Sequence, residues 1–226
     1  MGAVVDLVRV LFSPAAVFER LRERPVWFVP AIVLGIVATV LGYLFLPYRL
    51  ASMAGQIAKA AAQNPNAAAQ IEGFTRIFVF ASPIFVLVFL LIVAGILWLL
   101  ATLLAGGEAR FSTLLSVATY TALPSLLLQV ATLAVLKMKG VEAVTSPLDL
   151  QPPLGLNLLA PDVTGFLSGV LAAINPFTIW GMVLTAIGIQ VTLRASKGSA
   201  YAVAIVAMLL SVLFGGVGAA LAGRQG

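Results

Sequence analysis

Residues Ile77–Gly107 read IFVFASPIFVLVFLLIVAGILWLLATLLAGG, and this run contains no Asp, Glu, Lys or Arg. At about 1.5 Å of rise per residue, a helix of this length exceeds the roughly 30 Å of hydrocarbon in a bilayer. Lipid offers no hydrogen bonds to the backbone, so an uncharged run this long is helical and satisfies its own amides. The sequence therefore predicts a membrane-spanning helix here.

Four further runs share this uncharged character: Val26–Tyr48, Phe111–Leu136, Val163–Leu193 and Gly198–Gly223. We therefore predict an all-α integral membrane protein, a bundle of five transmembrane helices with a short N-terminal amphipathic interfacial helix. The spans are expected at about residues 26–48, 77–105, 112–136, 166–193 and 199–222. Residues 1–25 would form a cytoplasmic N-terminal amphipathic segment, and residues 26–226 the five-span membrane domain.

The composition excludes several other classes of protein. Of the 226 residues, 62% are hydrophobic and only 9% are charged, whereas soluble domains carry about 25% charged residues. The chain has no cysteine and no histidine, which excludes disulfides, thiol nucleophiles and a Ser-His-Asp triad and argues against zinc or haem sites. We therefore expect a protein that is not an enzyme, with no catalytic residue, no cofactor and no metal.

The net charge of +5 is interpreted as a signal for topology and lipid headgroups rather than for nucleic acid, which is not an expected partner. Three arginines between Arg20 and Arg24 come just before the first span, where basic residues usually remain cytoplasmic. With five spans, this places the N-terminus in the cytoplasm and the C-terminus outside. No charged residue lies inside a span, which argues against an ion-coupled pump.

A short helix is predicted to begin at Ser13-Pro14, because serine can cap a helix and proline fits its first turn. Its apolar residues fall at helical spacing on one face, and charged residues occupy the other. One interpretation is that the helix docks on the bundle and sets topology. The other is that it forms a surface for a protein partner or anionic lipid, for which the candidates are Phe18, Arg20, Leu21, Arg22 and Arg24.

Two segments between the spans also carry information. Residues 49–76 are rich in alanine and broken at Asn64-Pro65-Asn66, which predicts two small helices on the outer face. Residues 137–162 form the longest loop, which contains six leucines: Leu148, Leu150, Leu154, Leu156, Leu158 and Leu159. We expect these leucines to line the outer mouth of the bundle.

Polar residues and prolines meet in the third and fourth spans. The candidates for a site of interhelical polar contact, helix kinking or ligand binding are Tyr120, Pro124, Gln129, Asn175 and Pro176. Proline removes a backbone donor and kinks a helix. One interpretation is that the polar side chains bridge helices and satisfy the kinked backbone. The other is a ligand or lipid pocket between two broken helices.

A ridge of small residues lies in the last span, where Gly215, Ala219 and Gly223 recur every four residues. Such a ridge allows another helix to approach closely. Packing within the chain and self-association through this span both remain open.

Several of these features together resemble the Yip1 domain family in its bacterial form. The matching residues are Ser13-Pro14 with Phe18 and Leu21, Phe111 with Leu115, Tyr120 with Pro124, and Asn175-Pro176-Phe177. The resemblance implies a five-span fold in a membrane, here the bacterial cytoplasmic (inner) membrane. Eukaryotic members associate with Rab-type GTPases, but this chain lacks their long N-terminal region and Asp-Leu-Tyr-Gly-Pro motif, so that property is not transferred.

The function expected from these features is that of a non-enzymatic multi-pass membrane protein that organises the membrane or recruits partner proteins. Its partners would be membrane lipids, and also other proteins or a second copy of the chain. The alternative is a passive transporter, channel or lipid scramblase that uses the kinked polar spans three and four.

Overall fold

The computed structural model describes residues 2–106, 109–152 and 154–223, and these ranges contain helices and connecting segments but no strand. Within them the α-helices, in chain order, are α1 (Ala3–Arg9), α2 (Pro14–Glu23), α3 (Phe28–Ser52), α4 (Ala54–Gln63), α5 (Ala67–Phe80), α6 (Ser82–Ala105), α7 (Phe111–Thr121), α8 (Leu123–Lys139), α9 (Gly165–Ala173), α10 (Pro176–Leu193) and α11 (Lys197–Gly223). Short 3-10 helices lie between α8 and α9, at Val141–Ala143, Pro147–Leu150 and Leu156–Leu159.

Five helical segments of the described chain are long and apolar enough to cross a membrane. They are Phe28–Ser52, Ser82–Ala105, Phe111–Lys139, Pro176–Leu193 and Lys197–Leu221. The predicted all-α fold with five membrane-spanning helices is therefore confirmed. The many large apolar side chains left exposed along these helices are the surface that a bilayer would cover.

Prolines divide the second and fourth uncharged runs into separate helices. α5 ends at Phe80 and α6 begins at Ser82, just before Pro83, while α9 ends at Ala173 and α10 begins at Pro176. A proline inside a helix clashes with the carbonyl four residues earlier and disfavours helical backbone at the residue before it. The spanning helices in these two runs therefore start later than the uncharged sequence does.

The third span is interrupted in the same way. α7 ends at Thr121 and α8 begins at Leu123, with Pro124 as its second residue. The helix is therefore interrupted one residue before the turn that contains Pro124, where the carbonyl of Ala122 accepts a hydrogen bond from the N–H of Ser125 at 3.1 Å.

The helices group into two units, the first made of Met1–Val37, Pro83–Leu127 and Pro176–Ser211. In this unit α2 packs against α10 and α7. α7 is its central helix, because every residue from Thr113 to Thr121 is buried. The first unit therefore has a core to which the N-terminal segment contributes directly.

The second unit is made of Ala38–Ser82, Leu128–Asn175 and Val212–Gly226. Here α4 packs against α5. These are the two helices predicted on either side of Asn64-Pro65-Asn66, so their presence is confirmed, whereas their location on the outer face stays a prediction. The 3-10 helix Leu156–Leu159 packs against α9.

The leucines of the α8–α9 connection were expected to line the outer mouth of the bundle, which would cover them, but most of them are not covered by protein. Exposed side chains are found at Leu148, Leu154, Leu156, Leu158 and Leu159. The segment packs on α9 through its backbone and small residues, which leaves the leucines pointing away from the protein.

Candidate functional site

The amphipathic helix α2 buries its apolar face within the first unit. Val17 and Phe18 are completely inaccessible, and Leu21 is buried beside them. Of the two interpretations that the sequence left open, the structure shows the one in which α2 docks on the bundle. Phe18 and Leu21 are therefore core residues in this structure, and the accessible part of the candidate partner surface is reduced to Arg20, Arg22 and Arg24.

A glycine on α10 makes room for this docking. A Cβ at Gly188 would lie 2.8 Å from Cγ1 of Val117 and 3.1 Å from Cζ of Phe18. Any side chain larger than hydrogen at position 188 would therefore push against α7 or against the aromatic ring of α2. The contact explains why the ring can enter the packing between α7 and α10.

The first helix, α1, was not predicted, and an ion pair fastens it to α2. The guanidinium of Arg20 donates to the carboxylate of Asp6 through Nη2 at 2.5 Å and through Nε at 3.2 Å. The Asp6 side chain is mostly buried, whereas that of Arg20 is 42% exposed. The hydroxyl of Tyr120 donates to the Ala3 carbonyl at 3.4 Å. The N-terminal segment is thereby held on the core by two polar contacts, in addition to the buried side chains of Leu7 and Val10.

The first unit has exposed basic side chains at two places, the end of α2 and the turn between α10 and α11. Arg24, Arg194 and Lys197 are exposed and Arg22 is half-buried, while Glu19 and Glu23 also lie exposed on α2. Arg194 has a left-handed backbone (φ 53°) at the turn between α10 and α11. The ammonium of Lys197 lies 6.0 Å from the ring centroid of Tyr201. These residues supply cations that can contact anionic groups at a membrane surface.

The predicted polar and kink residues fall into different units. Tyr120 and Pro124 are buried in the first unit, to which the exposed Pro176 also belongs. In the second unit, Gln129 is exposed and Asn175 is buried. The side-chain amide of Asn175 donates to the carbonyls of Ala172 and Ala173 at 3.2 and 3.3 Å, at the broken end of α9.

The hydroxyls of α7 also bond within their own helix. Ser116 donates to the carbonyl of Ser112 at 3.0 Å, and Thr119 donates to that of Leu115 at 2.7 Å. A hydroxyl that bonds to the preceding turn is satisfied without a ligand. Asn175 and these hydroxyls thus bond to backbone carbonyls of their own helices, which agrees with the backbone-satisfying part of the first interpretation. Bridging between helices by the candidate side chains stays a prediction.

A polar cluster that the sequence did not reveal lies in the second unit. Nε2 of Gln151 lies 3.2 Å from Oγ of the buried Ser168, and Nδ2 of Asn157 donates to Oε1 of Gln151 at 3.3 Å. Oδ1 of Asn157 is buried without a hydrogen-bond partner in the described structure. An amide cannot accept a proton from serine as a general base would, so the cluster is suited to holding the loop on α9.

The small-residue ridge of the last span packs within the chain. A Cβ at Gly169 of α9 would lie 2.5 Å from Cβ of Ala219 and 2.5 Å from the carbonyl oxygen of Gly215. The ridge therefore has an internal partner at two of its three predicted positions. The side chain of the third, Gly223, lies outside the residues whose surroundings the structure describes.

Two of the residues that sequence reasoning missed had weak signals. Gly188 lies between the two isoleucines Ile187 and Ile189 in α10, and Asp6 is a single carboxylate within an apolar stretch. Neither pattern identifies its partner, because Phe18 and Arg20 come from distant or separate segments. Gln151 and Asn157 carried no signal, since polar residues are ordinary in a loop.

Comparison with known proteins gives two matches. The Yip1 domain family matches residues 8–219. The chain is also 29% identical over 217 residues to a protein of Bacillus subtilis (strain 168) named membrane protein YknW, covering 92% of this chain and 87% of that one. No solved structure matches the chain.

Proposed function

Because the chain belongs to the Yip1 domain family and is an integral membrane protein, we propose that it is a non-enzymatic protein that organises the membrane through the basic side chains at the end of α2. On this proposal Arg22 and Arg24 contact anionic lipid headgroups. Recruitment of an acidic protein by the same two arginines is the competing outcome of the test below.

One observation carries this proposal: the apolar face of α2 is buried inside the protein. Val17, Phe18 and Leu21 are buried, so the helix presents charge rather than hydrophobic surface to its surroundings. Its last turn precedes α3, whose first residues Phe28 and Val29 are exposed apolar side chains. A cation beside the lipid-facing start of a span lies at the depth of headgroups, where each is worth about 1 kcal/mol of attraction to an anionic surface.

We further propose that the N-terminus lies in the cytoplasm and the C-terminus outside, in the bacterial inner membrane. Arg20, Arg22 and Arg24 directly precede the first spanning helix. Basic residues beside the first span are retained on the cytoplasmic side. Five crossings then place the end of α11 on the opposite side, and the anionic lipid contacted would be that of the cytoplasmic leaflet.

The test uses Trp27, which lies three residues after Arg24 with its ring 5.6 Å from that of Phe28. In a variant with Trp98→Phe and Trp180→Phe, the protein is reconstituted with brominated phosphatidylglycerol or brominated phosphatidylcholine. We expect brominated phosphatidylglycerol to quench Trp27 several-fold more effectively, because the anionic lipid would concentrate beside the arginines. Equal quenching by the two lipids would reject the lipid proposal.

A matched pair of charge variants makes this test specific. Arg22→Gln with Arg24→Gln should bring the two lipids close to equal quenching. Lys137→Gln with Lys139→Gln removes the same charge from the end of α8 and should leave the preference unchanged. If both pairs act alike, net charge rather than this surface selects the lipid. If the native chain shows no preference but crosslinks in membranes to an acidic protein through residue 24, the recruitment outcome holds instead.

The transport alternative has a separate readout. Passive flux of solute or lipid through vesicles that carry the protein, lowered by Asn175→Leu, would contradict the proposal. We expect no such flux, since Asn175 donates to carbonyls at its own helix end and the α7 hydroxyls bond within α7.

A further inference from the structure

The connection between α8 and α9 ends in a hairpin whose two arms lie side by side. The N–H of Leu156 donates to the carbonyl of Ile174 at 3.1 Å, so the 3-10 helix Leu156–Leu159 begins beside the far end of α9. A Cβ at Gly155 would lie 2.7 Å from the Cα of Ala172, which shows how closely the two backbones approach. The chain then turns back through Pro161 to the start of α9 at Gly165.

The depth of this hairpin follows from the contacts of α9 with α11. Ala173 lies against Gly215, with 3.2 Å between its Cβ and a Cβ built on that glycine, and Gly169 lies against Ala219. α9 therefore runs antiparallel to the last part of α11, and its end reaches the level of Gly215. That level lies inside the spanning segment Lys197–Leu221, eight residues and so about 12 Å before the end of α11 at Gly223.

The hairpin exposes its apolar side chains and pairs its polar ones, as a segment inside a membrane must. Leu158 and Leu159 are 60% and 83% exposed, and Leu154, Leu156 and Leu167 are exposed as well. The polar side chains of Gln151, Asn157 and Ser168 bond to one another on the inner side. Non-helical backbone at membrane depth is stable only where protein covers its polar groups, and here α9 and the 3-10 hydrogen bonds provide that cover.

From this arrangement we propose that residues 154–174 form a re-entrant element inserted in the leaflet at which α11 ends, with Leu158 and Leu159 in contact with acyl chains. The range contains one charged residue, Asp162, which is exposed and lies just before α9 begins, at the shallow end of the hairpin where its carboxylate can reach the headgroups. From Val163 into α10 the sequence carries no charge. This proposal does not depend on the lipid preference proposed for Arg22 and Arg24.

The absence of cysteine from the chain allows a direct test. Leu158→Cys and Leu159→Cys are labelled with an environment-sensitive fluorophore and reconstituted in phosphatidylcholine vesicles. We expect blue-shifted emission that is quenched more strongly by lipids with a doxyl group at carbon 5 than by iodide. Gln63→Cys, exposed at the end of α4, serves as the control and should show stronger quenching by iodide.

Two results would overturn the proposal. If iodide quenches the probes at positions 158 and 159 more strongly than the doxyl lipids, the leucines face water. If neither quencher reaches them, protein covers them, as a second copy of the chain would do. Because the substituted side chains make little contact with the rest of the protein, either result can be read without loss of folding. The bromolipid experiment on Trp27 can succeed or fail separately, since it reports on the first unit only.

Discussion

The ring of Phe18 occupies the space that the missing side chain of Gly188 leaves on α10. A Cβ at this position would come within 3.1 Å of Cζ and 3.2 Å of Cε1 of the ring, and within 2.8 Å of Cγ1 of Val117. This three-way contact joins the N-terminal amphipathic helix to two spanning segments. It makes α2 part of the core of the first unit rather than an appendage at the membrane surface.

Replacing this glycine should therefore loosen α2. We expect Gly188→Leu to destabilise the protein by roughly 1–3 kcal/mol, the usual cost of overpacking a filled core. The melting midpoint followed by tryptophan fluorescence should fall, and trypsin should cleave faster after Arg20 and Arg22. Gly95→Leu on α6 is the matched control, because a Cβ there meets nothing within 4 Å. A melting midpoint for Gly188→Leu equal to that of the control would contradict the packing described.

The ion pair between Asp6 and Arg20 should respond unequally to loss of either partner. Arg20→Gln leaves the mostly buried carboxylate without its partner, at a cost of roughly 1–3 kcal/mol, whereas Asp6→Asn leaves a half-exposed guanidinium that water can solvate. Trypsin cleavage after Arg9 should therefore be accelerated more by Arg20→Gln than by Asp6→Asn. Glu19→Gln, on the exposed face of α2, is the control, and the opposite order of the two variants would exclude this account.

The contact between α9 and α11 predicts a disulfide within one chain. With Cβ atoms about 3.2 Å apart, Ala173→Cys and Gly215→Cys are close to the geometry of a disulfide, whose Cβ atoms lie about 3.5–4.5 Å apart. Mild oxidation should crosslink this pair as a monomer, and adding Gly169→Leu should abolish the crosslink by separating the helices. Ala173→Cys with Gly218→Cys should not react, since position 218 faces open space. A covalent dimer would instead indicate that the ridge joins two chains.

The proposed topology places two exposed loops on opposite sides of the membrane. Ser196 lies in the turn between α10 and α11, and Ala62 lies near the end of α4. An impermeant maleimide added to right-side-out cells should label Ala62→Cys at once and Ser196→Cys only after permeabilisation. Labelling of both residues from the same side would rule out an odd number of crossings between them.

The turn formed by Thr145, Ser146 and the 3-10 helix Pro147–Leu150 should depend on pH through Asp149. Burial disfavours the charged carboxylate, but hydrogen bonds from the N–H and hydroxyl groups of Thr145 and Ser146 outweigh it and lower its pKa below 3.8. A lowered pKa means that the carboxylate stabilises the turn at neutral pH and that this contribution is lost as pH falls through the folded pKa. In NMR spectra, the amide signals of Thr145 and Ser146 should therefore move towards disordered values only below about pH 4.

Asp149→Asn tests the assignment of that effect. The variant removes the charge at every pH, so its Thr145 and Ser146 signals should be shifted already at pH 7 and should change little on acidification. A pH response in the variant equal to that of the native chain would assign the titration to another group.

The polar candidates illustrate how far the sequence could lead. Pro124 and Pro176 predicted breaks because proline has no N–H and clashes with the preceding turn, and both breaks are present. The position of Asn175 next to Pro176 suggested either that its side chain binds a ligand or that it bonds to nearby backbone. The spacing of residues along the sequence does not distinguish between these two roles. Only the positions of the Ala172 and Ala173 carbonyls identify the local bond.

The sequence by itself determined the solvent, the spanning helices and their number, because the cost of burying charge in lipid is a property of composition along a single segment. It could not determine which helix face meets protein and which meets lipid, since in an apolar solvent both faces are made of the same side chains. That division depends on close approach at Gly188, Gly169 and Gly155, and close approach exists only once distant segments have been brought together. The tertiary structure thus decided that Phe18 lies inside the protein while Leu159 is turned away from it.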